Sequence, residues 1–568
     1  MAGKLVAPMA HVNFSNHLQA ARSEDRPSRE ATPWWRGAVI YQIYPRSFQD
    51  SNGDGVGDLP GIISRMDYLA DLGVDALWVA PFFKSPMYDF GYDVSDPCDV
   101  DPLFGTLADF DKLLAQAHEH GLRVIIDQVI SHTSVEHPWF RESRASRDNP
   151  RADWYVWADP RPDGTPPNNW LALFGGVAWQ WEPRRRQYYL HNFLTTQPDL
   201  NFHNPEVRRA VLADLRFWLD RGVDGFRFDA INFCYHDAKL RDNPPKPARL
   251  RTGRGFSPDN PYAYQYHHYN NTRPENLAFI EHIRKLLDEY PGSTALGEIS
   301  SEDSVATMAE YSGEKRLHMV YSFELLTEDF SAAHIRDTVA RLENRLTDGW
   351  PCWAVSNHDV ERVASRWGRD EYSPDLATML SALLGSLRGS ICIYQGEELG
   401  LPEGDVPFEQ LRDPYGIAFW PDFKGRDGCR TPMPWDDSDH AGFTTAIPWL
   451  PVMQAHRDLS VAKQAADPES PLNRFKRLQQ WRRCQPALCL GDIRLLDTAE
   501  PVLAFVREID DESMLAVFNL SGDAVGVTLP ESFADHSPVP CPGPVNGTVL
   551  DQSAELPPHG VAFTRRRK

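Results

Sequence analysis

Short apolar runs, each closed by polar or ionisable residues, alternate along this chain with stretches of helical spacing. Gly37 to Pro45, Asp75 to Pro81 and Arg123 to His132 read as three buried strands, because runs without alternation suit a sheet covered on both faces. Between the first two, Ile62, Ile63, Met66, Leu69 and Leu72 have helical spacing, and Gly73 ends that helix. Phe104 to His120 predicts the next helix, with Thr106 as its N-cap. Pro205 to Arg221 is amphipathic and leads into a fourth strand, Gly225 to Ala230. A helix over Glu275 to Glu289 and strands at Ser293 to Glu298, His318 to Phe323, Cys352 to Asp359 and Ser390 to Gly396 complete the set. Eight buried strands with intervening helices predict an α/β chain built on a (β/α)8 TIM barrel.

Neither period continues through Thr133 to Asn201, an interval rich in Pro and Trp. A structureless loop of that length is foreign to a compact domain. The interval therefore reads as a subdomain inserted after strand 3, roofing the mouth of the sheet. Pro245 to Pro261 reads as a loop insertion. Beyond Leu488, short alternating strands such as Val502 to Val506 and Met514 to Phe518 predict a C-terminal antiparallel β domain. The expected organisation is a loose leader over 1–32, a barrel over 33–132 and 202–487, the inserted subdomain over 133–201 and the β domain over 488–568.

The totals narrow the partners. A chain of 568 residues can bury a large core, and 42% hydrophobic with 24% charged residues is a soluble globular composition. The net charge of -22 argues against nucleic acid, which needs a basic footprint. No apolar run is long enough to span a bilayer, and Leu5 to Ala10 is too short for a signal-peptide core, so no membrane association is expected. Eight scattered cysteines form no Cys-x-x-Cys pair, which favours buried thiols in a cytoplasmic protein. A monomer or homodimer is expected.

Two stretches carry candidate chemistry. In the loop after the first strand, Asp50, Asn52, Asp54, Val56 and Asp58 offer oxygens at alternate positions, Val56 through its carbonyl, and Gly55 falls where a calcium loop turns sharply. Position twelve is Gly61 rather than a bidentate Glu, so the loop is EF-hand-like without the usual closing ligand. One structural Ca2+, or Mg2+, is expected there in preference to a hydrated turn. In the fourth strand Arg227 and Asp229 interrupt the apolar run and point to the same side. Buried charges need partners. The pair reads either as an arginine keeping a nucleophilic aspartate ionised or as a structural ion pair at a barrel mouth.

Four strands end in ionisable residues: Asp127 and His132, Arg227 and Asp229, Glu298, then His358 and Asp359. Such ends converge on one mouth of a barrel, where catalysis occurs. Several carboxylates there point to glycoside chemistry, one attacking the anomeric carbon and another protonating the leaving oxygen.

The stretches Asp127 to His132, Gly225 to Asp229, Gly297-Glu298-Ile299 and Asn357-His358-Asp359 resemble the four signature regions of the α-amylase family, glycoside hydrolase family 13. Gln197 to Asn201 and Gly425 to Trp435 resemble its α-glucosidase and oligo-1,6-glucosidase branch, and the resemblance runs from about Trp34 to the C-terminus. It implies Asp229 as nucleophile, Glu298 as general acid/base and Asp359 as the carboxylate gripping the sugar's secondary hydroxyls. It implies that Arg227 keeps Asp229 charged and that His132 and His358 bond the same glucose. Asp89 and Arg426 resemble the clamp on the non-reducing end, and Tyr92 the ring stacked beneath it, so exo-action is implied. Ser131 stands where many relatives carry a metal-ligating Asn, so no metal is expected beneath the inserted subdomain. Ala230 stands where α-1,6-acting relatives usually carry Val; its small side chain leaves room for an α-1,4 link.

The expected activity is a retaining exo-α-1,4-glucosidase that also transfers glucose to acceptor hydroxyls. A sucrose-acting hydrolase, isomerase or glucosyltransferase of the same branch is the alternative. A binding subunit like the amino-acid transporter heavy chains is disfavoured, because all three carboxylates are present.

Overall fold

The computed structural model describes residues 11–12, 32–251, 260–369, 372–550 and 552–567. Most of the predicted leader and the middle of the predicted 245–261 insertion lie outside them. The eight strands are Val39–Ile43 (β1), Ala76–Val79 (β2), Arg123–Gln128 (β3), Gly225–Phe228 (β4), Thr294–Ile299 (β5), Met319–Ser322 (β6), Trp350–Trp353 (β7) and Ser390–Tyr394 (β8). All pair in parallel and in chain order, and β8 pairs with β1 to close the barrel. Nearly every strand residue is buried, as the unalternating runs require. Gly225 is needed where β4 begins: its φ is +147°, and a Cβ there would collide with the Thr294 carbonyl of β5.

The helices follow their sequence signals. Thr106 caps Leu107–Glu119 in a full capping box with Asp109. Asn204 caps Pro205–Asp220, which turns Val207, Val211, Leu215 and Trp218 into the core. The predicted helix through Ile62 and Leu72 is two shorter ones, Leu59–Ser64 and Met66–Asp71, broken at Arg65. Ile63 is only half-buried, so the apolar face has to be reset across the break.

After β3 the chain forms a three-stranded antiparallel sheet, Trp157–Ala158, Gln187–Leu190 and Trp179–Glu182, around its own core of Trp170, Trp179 and Leu190. The C-terminal part holds two sheets. One has five strands between Asp492 and Arg567. In the other, His11–Val12 pairs in parallel with Gly526–Val527. Those two residues of the expected loose leader are thus a sheet edge.

Candidate active site

One cavity lies over the C-terminal ends of the barrel strands. Its polar lining includes Asp89, His132, Asp229, Glu298, Asp359 and Arg426, and Tyr92 and Ala230 join them. Leu173, Phe174, Phe193, Phe233, Phe323 and Tyr415 make the rest of its wall largely apolar. Two predicted binding residues, Arg227 and His358, are fully buried and do not line it.

Arg227 is the hub beneath the cavity. Its Nη1 donates to Asp127 Oδ1 at 2.8 Å and to Asp229 Oδ1 at 2.7 Å, and its Nη2 lies 2.7 Å from Glu298 Oε1. Nη2 also donates to the Tyr321 hydroxyl at 2.9 Å, which donates in turn to Glu298 Oε1 at 3.0 Å. Three carboxylates therefore share one guanidinium. Burial raises the carboxyls of Asp229 and Glu298 to about 7 and that of Asp127 to about 6, against the pull of Arg227. Arg227 pulls Asp229 towards the ionised form, while desolvation and the neighbouring Asp127 and Asp359 carboxylates push the other way. A carboxylate and a carboxylic acid so placed can supply a nucleophile and a proton.

Asp229 follows β4 directly, its N–H donating to the Gln128 carbonyl at 3.0 Å. Ala230 is left-handed, φ 39° and ψ 46°, and its N–H donates to Glu298 Oε2 at 3.0 Å. The turn thus ties the end of β4 to a carboxylate of β5.

Asp359 differs from the other two. Burial would raise its carboxyl, but His358, Arg430 and Arg426 hold it well below the usual carboxylate range. Arg430 Nη2 donates to Asp359 Oδ1 at 2.8 Å and Arg426 Nη1 at 3.3 Å. Pairing in β7 ends at Trp353, so His358 and Asp359 lie on a loop rather than on the predicted strand, and of the two Asp359 lines the cavity. Likewise β3 ends at Gln128, and His132 forms an isolated bridge with Asp199.

Tyr92 stacks on His358 with ring centroids 5.2 Å apart and planes 8° apart. Its hydroxyl lies 2.6 Å from His358 Nε2, and His358 Nδ1 lies 2.7 Å from Gln42 Nε2. Burial lowers His358 to about 3 and His132 to about 4, so both rings are neutral. Arg426 Nη2 donates to Asp89 Oδ1 at 2.8 Å, and Gln197 Nε2 donates to Asp89 Oδ2 at 3.0 Å. Asp413, which sequence reasoning did not single out, is fully buried behind Arg426. The roles of Gln197 and Asp413 had no periodic signal, because both sit in irregular segments.

In the 50–58 loop, Asp50 accepts from the N–H groups of Asn52, Gly53 and Gly55 and from the Thr444 hydroxyl. Asn52 accepts from Asp54 N–H, and Asp54 from Val56 N–H. Asp58 caps the following helix through Gly61 N–H and accepts from Ser51. Among the described residues no three His, Cys, Asp or Glu side chains form a metal-binding group.

Comparison with known proteins agrees with this geometry. The family description "Alpha amylase, catalytic domain" matches residues 42–491, and "Maltogenic Amylase, C-terminal domain" matches residues 493–562. A "Probable alpha-glucosidase" of Rhizobium meliloti is 53% identical over 94% of this chain and 97% of its own length. An "Oligo-1,6-glucosidase" of Heyndrickxia coagulans is 38% identical over 88% of this chain and 94% of its own. Among solved structures, the alpha-glucosyl transfer enzyme XgtA superposes with a TM-score of 0.93 at 64% identity, covering 94% of this chain and 100% of that one. The trehalulose synthase MutB of Pseudomonas mesoacidophila superposes with a TM-score of 0.85 at 33% identity, with the same coverage.

Proposed function

The chain belongs to the α-amylase family, among its α-glucosidase and oligo-1,6-glucosidase relatives, and from that premise we propose a retaining, exo-acting α-glucosidase that also transfers glucose to acceptor hydroxyls. The observation that carries this reading is that Asp229, Glu298 and Asp359 line one cavity while Arg227 bridges the first two from below.

In this reading Asp229 attacks the anomeric carbon of a terminal glucose. The bond to the leaving oxygen breaks, and that oxygen takes the Glu298 proton. A water or an alcohol then attacks the glucosyl ester. Its proton passes to Glu298 and Asp229 leaves as carboxylate, so the product keeps the α configuration. A Glu298 carboxyl raised to about 7 can give up and take back a proton near neutrality, which suits both halves of the cycle. Asp359, kept ionised by two arginines, would accept from the sugar's secondary hydroxyls. The Asp89–Arg426 pair would close the site beyond one glucose, His132 would bond that glucose, and Tyr92 would lie under its ring. His358 would act through Tyr92 and Asp359, which it contacts.

The small side chain of Ala230 supports α-1,4 linkages, hence maltose and short maltooligosaccharides. The apolar wall of Phe174, Phe193, Phe233 and Phe323 supports alcohol acceptors with an apolar body. The named activity of XgtA, glucosyl transfer, agrees with that. We further infer that the 50–58 loop takes one calcium, or magnesium, ion through Asp50, Asn52, Asp54, the Val56 carbonyl and Asp58. The donor set is all oxygen. The ion's part would be structural. Free cysteines and the lack, among the described residues, of a helix long and apolar enough to cross a membrane support a cytoplasmic setting.

Product chromatography on maltose with an added small alcohol tests the main reading. Glucose and the alcohol's α-glucoside are expected, and both should vanish in Asp229→Asn. Absence of glucose from every α-1,4-glucoside, or turnover undiminished in Asp229→Asn, overturns it. Turnover confined to sucrose would favour the sucrose-acting alternative.

A further inference from the structure

Arg426 faces three carboxylates, and the strongest geometry is not with either one that lines the cavity. Asp413 holds it in a fork: Nε donates to Asp413 Oδ2 at 3.1 Å and Nη2 to Asp413 Oδ1 at 2.8 Å. Asp413 Oδ2 also accepts from the Arg426 backbone N–H at 2.8 Å. Two parallel bonds to one carboxylate fix the plane of a guanidinium, whereas single bonds leave it free to turn. With that plane set, Nη2 reaches Asp89 at 2.8 Å and Nη1 reaches Asp359 at 3.3 Å.

The same carboxylate has a second duty. Asp413 is the N-cap of the helix Pro414–Phe419, accepting from Tyr415 N–H at 3.2 Å. Tyr415 lines the cavity on its apolar wall, in contact with Phe174. The helix and the Arg426 segment meet through two glycines, Gly416 and Gly425, and a Cβ on either would collide with the other's backbone. Asp413 is itself held from below, since Asp427 Oδ2 accepts its N–H at 2.9 Å and that of Arg412 at 2.6 Å. Asp413 is fully buried and does not line the active-site cavity, so it would act through Arg426 rather than on the substrate.

We propose that Asp413 is a positioning residue that couples the two halves of the site, orienting Arg426 for the terminal glucose and setting the helix that carries Tyr415 against the leaving group or acceptor. The proposal rests on the α-glucosidase reading above. Burial leaves no water to replace a lost partner of Arg426, so the guanidinium would turn towards Asp89 or Asp359 and distort both.

Three substitutions separate the duties. Asp413→Ser keeps a capping hydroxyl but is too short for the fork. Asp413→Asn keeps shape and cap but turns an amide donor towards Arg426. Asp413→Ala removes both. In Asp413→Ser and Asp413→Asn, KM for maltose should rise about tenfold or more with a smaller change in kcat, while the ratio of transfer to hydrolysis with an alcohol acceptor stays near wild type. In Asp413→Ala that ratio should change as well. A merely structural role would lower the folded fraction, hence apparent kcat, and leave KM untouched. Calorimetric binding of glucose reads the clamp without turnover and should weaken by a similar factor in Asp413→Ser. Wild-type KM and wild-type glucose affinity in both Asp413→Ser and Asp413→Asn would overturn the proposal even if Asp413→Ala fails to fold. A wild-type protein inactive on every α-glucoside, but whose glucose affinity still falls in Asp413→Ser, overturns the functional reading instead and leaves the clamp standing.

Discussion

The residue after Asp229 is where one side chain bears on both backbone and chemistry. Ala230 occupies the left-handed region at φ 39°, where a Cβ is already disfavoured and a β-branched one more so. Its N–H fixes Glu298 Oε2, so a shift of this turn moves a carboxylate as well as the cavity wall. Valine at this position carries two costs, crowding of the leaving group and backbone strain of about 1–3 kcal/mol. Ala230→Val should therefore lower the ratio of α-1,4 to α-1,6 turnover, measured on maltose and isomaltose, and lower Tm as well. A falling Tm with an unchanged ratio would mean that strain is real and the steric account of linkage is wrong. The sequence made this residue visible only through its neighbour Asp229. The left-handed turn has no marker in the letters, because alanine does not announce a positive φ as glycine does.

At the scale of elements, the polar strand ends were legible because a charge inside an apolar run is conspicuous. The strand boundaries were less so. Val129 and Ile130 after β3, and Ala354 and Val355 after β7, are buried although they lie outside the paired strands. The apolar run continues because the loop is covered, and hydrophobicity reports burial rather than pairing. Asp413 stayed hidden for the opposite reason: it reads as an ordinary Asp-Pro helix start, and its fork to Arg426 exists only in three dimensions. The 50–58 loop lies between these cases. Its alternating oxygens are plain in the sequence, and their hydrogen bonds fold the loop back on itself. A bound ion that favours the folded chain raises its stability by mass action. Adding millimolar calcium after chelator treatment should raise Tm by several degrees, and Asp54→Ala, which removes an exposed carboxylate, should abolish most of the rise. A Tm indifferent to calcium and magnesium in the wild-type protein removes the ion from the account.

For the whole molecule, the question is how the C-terminal sheets are held to the barrel. Arg507 is fully buried on the strand Val502–Ile509. Its Nη1 donates to the carbonyls of Ser386, Leu387 and Leu488 at 2.6 to 2.8 Å, and its Nη2 to that of Gly491 at 2.7 Å. Ser386 ends the helix Pro374–Ser386, and Leu488 lies in the helix Pro486–Leu490. The guanidinium thus satisfies carbonyls that a helix end leaves without intrahelical donors, and helix dipoles favour a cation there. Burial with Arg482 and Arg388 nearby lowers it to about 9, so at neutral pH it stays charged and loses little of its grip. Arg507→Met keeps much of the volume but strands several buried carbonyls, at a cost of about 3–5 kcal/mol. That loss falls on the junction rather than on either core. Calorimetry should show one unfolding transition in the wild-type protein and two in Arg507→Met, the C-terminal sheets melting first and the barrel later. If Arg507→Met melts in one unshifted transition, the junction is held by apolar packing alone, through contacts such as Trp481 against Phe563, and the arginine is dispensable to it.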